Sequence, residues 1–200
     1  MTHRRNSPGL WLMPVILLLA AGLRLLWLDA RALWFDEGVS LTFARFPLSD
    51  ILRFHILWQD TNPPAYRVLL GGWLRLMGTT AFTARLLSVW LGVLCVALSA
   101  RLARMLRVGH GASLLTALLM AVAPMQVYYS REVKHYVYVQ FFLLLLAVLW
   151  LRWFPLPPRQ IPQKGPRWRA VMLWSASVLA TALAVGAHYM AGLAVAVMAA

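Results

Sequence analysis

The chain has 200 residues, 62% of them hydrophobic, with a mean hydropathy of +0.69, a formal net charge of +13 and an isoelectric point near 11.4. A soluble domain of this size has too little interior to bury so much apolar surface, and the basic residues are scattered between apolar runs instead of forming the patch that nucleic acid requires. The single cysteine, Cys95, lies within an apolar run, which excludes a disulfide framework and a thiolate metal site.

Apolar runs of about 18 residues or more match the thickness of a bilayer core, and their recurrence predicts an all-α, polytopic transmembrane helical bundle. The first span covers about 10–28, behind Arg4 and Arg5. Ala30-Arg31-Ala32 has the small-x-small form of a signal-peptide cleavage site, but the run is longer than a usual signal core, Arg24 interrupts it, and cleavage would leave an acidic pair at the new N-terminus. Asp36-Glu37 follows, behind Trp34-Phe35, in a loop expected over 29–83. Within that loop Ser49 or Asp50 can cap a short helix through Ile51-Leu52-Arg53-Phe54. Asp60-Thr61-Asn62-Pro63-Pro64 then forms a turn with two fixed φ angles. The segment Pro63 to Gly78 is apolar but short and carries Arg67 and Arg75, so it reads as an interfacial helix. Further spans are expected at about 86–103, 112–127, 136–151 and 170–187, with a truncated one from about 190. Pro155 to Arg167 is a linker too short to be a domain.

Charge fixes the orientation. With Pro63 to Gly78 outside the membrane core, Arg4, Arg5, Arg101, Arg104, Arg107, Arg152, Arg159, Lys164, Arg167 and Arg169 fall on one side, the cytoplasmic side by the positive-inside rule. All six acids fall on the other. The expected organisation is the N-terminal part of a larger transmembrane domain over 1–200, with a cytoplasmic N-terminus and its polar features on the outer face.

Two constellations on that face carry chemistry. An acidic pair at a membrane surface is either a solvated loop marking the water boundary or a pair of working carboxylates. Tyr128 to Tyr136 holds Arg131 and Lys134, which would share a face if the segment were helical and would suit a phosphate. Bases on the outer side run against the orientation rule, which favours a task for them, while the tyrosines read as an aromatic belt. His188-Tyr189 arrives at the same face at the end of the fifth span.

At this point the residues resemble a known family. Trp34-Phe35-Asp36-Glu37 resembles the Asp-Glu motif of the protein-O-mannosyltransferase and aminoarabinose-transferase superfamily. Asp60-Thr61-Asn62-Pro63-Pro64-Ala65-Tyr66 is similar to its acid-x-x-Pro-Pro-Leu-Tyr segment, with Ala65 for the usual Leu and Arg67 where a second Tyr is common. Tyr129-Ser130-Arg131-Glu132-Val133-Lys134-His135-Tyr136 is similar to Tyr-Ser-Arg-Glu-x-Arg-x-Tyr, with Lys134 for the second Arg, and His188-Tyr189 resembles a His-Tyr at the corresponding span end. The resemblance covers the N-terminal half of such an enzyme and implies a GT-C type membrane glycosyltransferase. By topology its site faces outward in a bacterial inner (plasma) membrane, or the lumen of an ER-type membrane if the chain is eukaryotic; the short, compact loops favour the bacterial case.

It further implies a polyprenyl-phosphate-linked sugar as donor and a lipid, glycan or protein hydroxyl as acceptor. Asp36 would be the base of an inverting single displacement. Glu37 would orient that base or a juxtamembrane helix, since neighbouring residues on a helix point roughly 100° apart. Arg131 and Lys134, with Arg67, would hold the donor phosphate, supported by Glu132, Tyr136, Tyr66, His188 and Tyr189. No cofactor and no catalytic metal are expected. A polyprenyl-linked lipid flippase and a non-catalytic scaffold are the alternatives. A transporter would be expected to carry ionisable groups near mid-membrane, whereas here no acid lies inside a span.

Overall fold

The computed structural model describes residues 9–57, 62–154 and 166–199, and these are helical with no strand. In chain order the helices are α1 (Gly9–Leu25), α2 (Phe35–Ala44), α3 (Leu48–Leu57), α4 (Ala65–Met77), α5 (Ala81–Met105), α6 (His110–Val122), α7 (Pro124–Tyr129), α8 (Tyr136–Trp153), α9 (Arg167–Val185) and α10 (Met190–Ala199). Three of them, α5, α8 and α9, are long and apolar enough to cross a membrane, and α1 and α6 are shorter apolar helices. The molecule is a helical membrane bundle.

α5 is its centre and packs against α1, α6 and α8; α9 covers the far side of α8, and α10 rests on both. At the contact of α1, α5 and α6 the buried residues are Ile16 and Val96 with the small residues Ala20, Ala100, Ala117 and Ala121. Within lipid there is little hydrophobic gain from bringing helices together, so close backbone approach over small side chains carries the association. Trp11, Leu18, Trp90, Leu119, Trp174 and Val178 stay exposed around the outside, as a lipid-facing surface requires.

The run at 112–127 is one apolar stretch in sequence but two helices in space. Pro124 has no N–H to offer the Met120 carbonyl, and the chain breaks at Ala123 before α7 restarts with proline in its first turn. The carbonyls released there are taken by Arg24 of α1, whose Nη2 donates to Met120 O at 3.2 Å and whose Nη1 donates to Ala121 O at 3.0 Å. A buried arginine thereby locks α1 to the end of α6.

Two local expectations change. α3 begins at Leu48, with Asp50 in its first turn and its amide bonded to Pro47 O, so neither Ser49 nor Asp50 is the residue that caps it. The segment between α7 and α8 is a series of turns and not a helix, so Arg131 and Lys134 are not related by helical spacing. The turn residues Asp60 and Thr61, and most of the 155–167 linker, lie outside the described residues.

The Asp36 and Glu37 site

The C-terminal ends of α1, α7 and α9 and the N-terminal ends of α5 and α8 meet at one end of the bundle, and each quoted motif with described residues is found there. The acid pair falls in the first turn of α2, where carboxylates complement the exposed amides and the helix dipole. Glu37, at the third helical position, reaches back to the Trp34 amide at 3.4 Å, the returning half of a capping box.

Glu37 is buried, 1% exposed, and faces Arg85 at the start of α5. The pair is bidentate: Arg85 Nε donates to Oε1 at 3.0 Å and Nη2 to Oε2 at 2.7 Å. The remaining guanidinium donors go to backbone carbonyls, Nη1 to Leu28 and Arg31 at 2.9 Å each and Nη2 to Ala32 at 3.2 Å. Five N–H donors thus meet five acceptors. The Val133 amide donates to Glu37 Oε1 at 3.0 Å, bringing the α7–α8 turn to the same carboxylate. Burial alone would raise this carboxyl, but the Arg85 hydrogen bonds, the Val133 and Trp34 amides and the Arg85 charge together hold it below the usual range. One ion pair therefore fastens four segments: the 28–32 turn, α2, α5 and the α7–α8 turn.

Asp36, one residue earlier, points elsewhere. Its Oδ2 lies 2.9 Å from Lys134 Nζ, and its side chain keeps 38% of its exposure. Lys134 also stands over the Trp34 ring at 5.9 Å. Beside it lies His135, buried, its Nε2 without a hydrogen-bond partner and its ring 4.9 Å from that of His188. Burial first, then the charges of His188, Lys134 and Arg67, push His135 down to about 4, with Asp36 opposing them. His188 is brought in by the start of α4: the Ala65 amide donates to Gly186 O at 2.8 Å. A Cβ on Gly186 would sit 3.2 Å from the Ala65 methyl, so the small residue at position 65 suits this close approach.

The other expected residues distribute as follows. Arg67 lies over the Phe43 ring at 4.7 Å. Tyr66 is a buried core aromatic packed on His135 and Tyr138, its hydroxyl without a partner. Tyr136 is exposed and stacks on Tyr129 and His135. Tyr189 is exposed, while Glu132 is buried and its carbonyl accepts from Ser88 Oγ at 2.6 Å. Arg131 takes a different position: its Nη2 donates to Trp27 O at 3.0 Å, and it lines a separate pocket with Arg31. Among the described residues no group of three His, Cys, Asp or Glu is arranged to hold a metal ion.

Arg85 and His135 escape a reading of the sequence alone. The signal for Arg85 was available, because it is a base at the outer end of a span, the anomaly that singled out Arg131 and Lys134.

Comparison with known families matches residues 60–200 to the family described as dolichyl-phosphate-mannose-protein mannosyltransferase. The matched stretch includes the proline-proline, Tyr129–Tyr136 and His188-Tyr189 motifs and begins after Asp36-Glu37. No curated protein and no solved structure matches the chain.

Proposed function

We propose, starting from the membership of this chain in the dolichyl-phosphate-mannose-protein mannosyltransferase family, that Asp36 is the catalytic base of a transfer from a polyprenyl-phosphate-linked sugar. The chain is a membrane glycosyltransferase by family, and what remains to assign is donor, base and phosphate contacts. One observation carries the assignment: of two adjacent carboxylates, Glu37 is fully engaged in the interior, and Asp36 is half-open to the surface beside a lysine.

The chemistry follows from that division. Asp36 takes the proton from an acceptor hydroxyl as its oxygen attacks the anomeric carbon. The C–O bond to phosphate breaks with inversion, and the polyprenyl phosphate leaves with the electron pair. Lys134 is held by Asp36 before the donor arrives. An incoming phosphate competes for that ammonium, so donor binding draws Lys134 onto the leaving group and frees Asp36 for the acceptor. Arg67, close enough to bear on His135 electrostatically, would supply a second cation. A neutral His135 keeps a further positive charge off the site, and Tyr136 and His188 offer polar edges to the sugar. The donor is an amphiphile whose tail stays in lipid, so a site at the end of the bundle, at headgroup depth, suits it. By charge that end faces away from the cytoplasm, in a bacterial inner membrane.

The test is transfer from polyprenyl-phosphate mannose by the chain in proteoliposomes. Asp36→Asn should lose at least roughly a hundredfold in turnover and still retain donor. Undiminished transfer would remove Asp36 from the mechanism and favour a flippase or scaffold role for the site.

A further inference from the structure

α10 covers part of the α8–α9 pair, where Val195 and Met198 pack on Leu146, Leu149 and Ala180. Next to that contact the pair opens into a groove of about 680 Å³. α8 walls it with Trp150, Trp153 and Phe154, and α9 with Trp174 and Val185. Its one serine, Ser177, already spends its hydroxyl on the Leu173 carbonyl at 2.9 Å, so the groove asks for an apolar occupant. The stretch of α9 from Trp174 to Val185 rises roughly 16 Å at 1.5 Å per residue. That is close to the depth of one leaflet, half of a hydrocarbon core about 30 Å thick.

The mouth of the groove is cationic. Arg167 stands seven residues before Trp174, close to two turns, and so continues the groove face of α9 toward the helix start. Its side chain is exposed, and among the described residues its guanidinium has no hydrogen bond or ion pair. Arg169 is engaged on the Trp168 ring at 5.3 Å, and Arg152 adds a further charge at the same end. No Asp or Glu occurs from residue 133 to residue 200, and Glu132 lies beyond the far end of α8. The positive-inside rule accounts for arginines at this end. It does not account for a leaflet-deep groove opening directly above one of them.

The shape selects the occupant. A second helix is about 10 Å across and associates within lipid over small residues that let backbones approach. α9 offers such residues, Ala176 and Ala180, at the cluster it forms with α8 and α10, whereas the groove is rimmed by three indoles and a phenyl ring. A hydrocarbon chain is narrower and flexible, and aromatic rings belong at the depth where it meets its headgroup. A basic pocket between transmembrane helices on the cytoplasmic side favours an anionic headgroup.

We propose that this groove binds one anionic phospholipid of the cytoplasmic leaflet, with an acyl chain along α9 and its phosphate on Arg167. The site uses the charge-derived orientation and is independent of the Asp36 chemistry. Its lipid braces α8 against α9, the helices that adjoin His135 and His188 at their other ends.

The experiment is native mass spectrometry of the full chain released from vesicles of phosphatidylcholine with a minor fraction of phosphatidylglycerol. Wild-type protein should retain one phosphatidylglycerol in preference to phosphatidylcholine. Arg167→Gln should lower that preference about tenfold, and Arg167→Lys should keep most of it. Arg169→Gln removes a charge at the same end but off the groove face, and should change little. Thr181→Phe fills the groove and should remove the retained lipid whatever its headgroup. Should that variant unfold, Arg167→Gln against Arg169→Gln still decides. Unchanged preference in Arg167→Gln overturns the proposal, as does an equal loss in Arg169→Gln, which would reduce the effect to general positive potential. A dimer that Thr181→Phe converts to monomer would also overturn it, by giving the groove to a second copy of the chain. Asp36→Asn should retain the lipid as the wild type does, so failure here and failure of the base assignment are told apart.

Discussion

Asp36 and Glu37 show how one peptide bond separates two tasks. On the first turn of α2 adjacent side chains diverge by about 100°, so a carboxylate aimed at Arg85 obliges its neighbour to face the surface. Glu37 is spent on structure, and Asp36 is left with an exchangeable partner. His135 adds a consequence of its own. Its ordinary value is 6.5 and the fold pushes it down to about 4, so between those values the unfolded chain binds a proton that the folded chain refuses. Stability is then intact above 6.5 and lost as pH falls toward 4, with a slope of up to ~1.4 kcal/mol per pH unit. Denaturation in detergent at pH 7 and pH 4.5 should show that loss in the wild type. The loss should shrink by about one proton's worth in His135→Gln; an unchanged difference would contradict the burial of a neutral imidazole. Glu37, held below its ordinary value, adds its own loss as pH falls past that ordinary value.

At the scale of elements, arginines do what backbone hydrogen bonds leave undone. Pro124 breaks the third apolar run, and Arg24 collects the released carbonyls and also donates Nε to Ser130 Oγ at 3.1 Å. Gly92 of α5 makes room for this junction: a Cβ there would collide with Ser130 Oγ and lie 3.0 Å from Arg24 Nε. Gly92→Ala should therefore destabilise the bundle by about 1–3 kcal/mol, the usual cost of overpacking, despite the better helix propensity of alanine. A thermal-shift measurement showing no loss would mean that Ser130 moves freely aside. Sequence periodicity marked the long apolar helices well, because lipid imposes length and hydrophobicity together. It missed α2, which has only ten residues, although an acid pair in the first turn is itself a helix-start signal. The shared face of Arg131 and Lys134 depended on that segment being helical, and spacing alone does not register that the chain turns between α7 and α8.

At the scale of the whole molecule, the α-helical membrane bundle and the family were legible because composition and ordered motifs are linear properties. What brings distant motifs together was not. Arg85 stands out in sequence only as a base at the outer end of a span, and contact with Glu37 and three carbonyls is what reveals its task. The alternation of the helices gathers the described acids at one end and Arg101, Arg104, Arg152, Arg167 and Arg169 at the other, which sets the expected orientation. Phe35→Cys, at an exposed position of the acid end, should react with a membrane-impermeant maleimide in intact cells. Leu106→Cys, exposed at the opposite end, should react only after permeabilisation. The reverse pattern would place the site in the cytoplasm.

The central claim is that Glu37 builds the site and Asp36 uses it. Parallel measurement of thermal stability and of transfer from polyprenyl-phosphate mannose in Asp36→Asn and Glu37→Gln tests it most directly. Glu37→Gln leaves Arg85 buried beside a neutral partner and should cost about 3–5 kcal/mol of stability, with activity falling along with folded protein. Asp36→Asn should leave stability nearly unchanged and abolish transfer. The opposite outcome, a stable Glu37→Gln with no turnover beside an active Asp36→Asn, would contradict the account and make Glu37 the catalytic carboxylate.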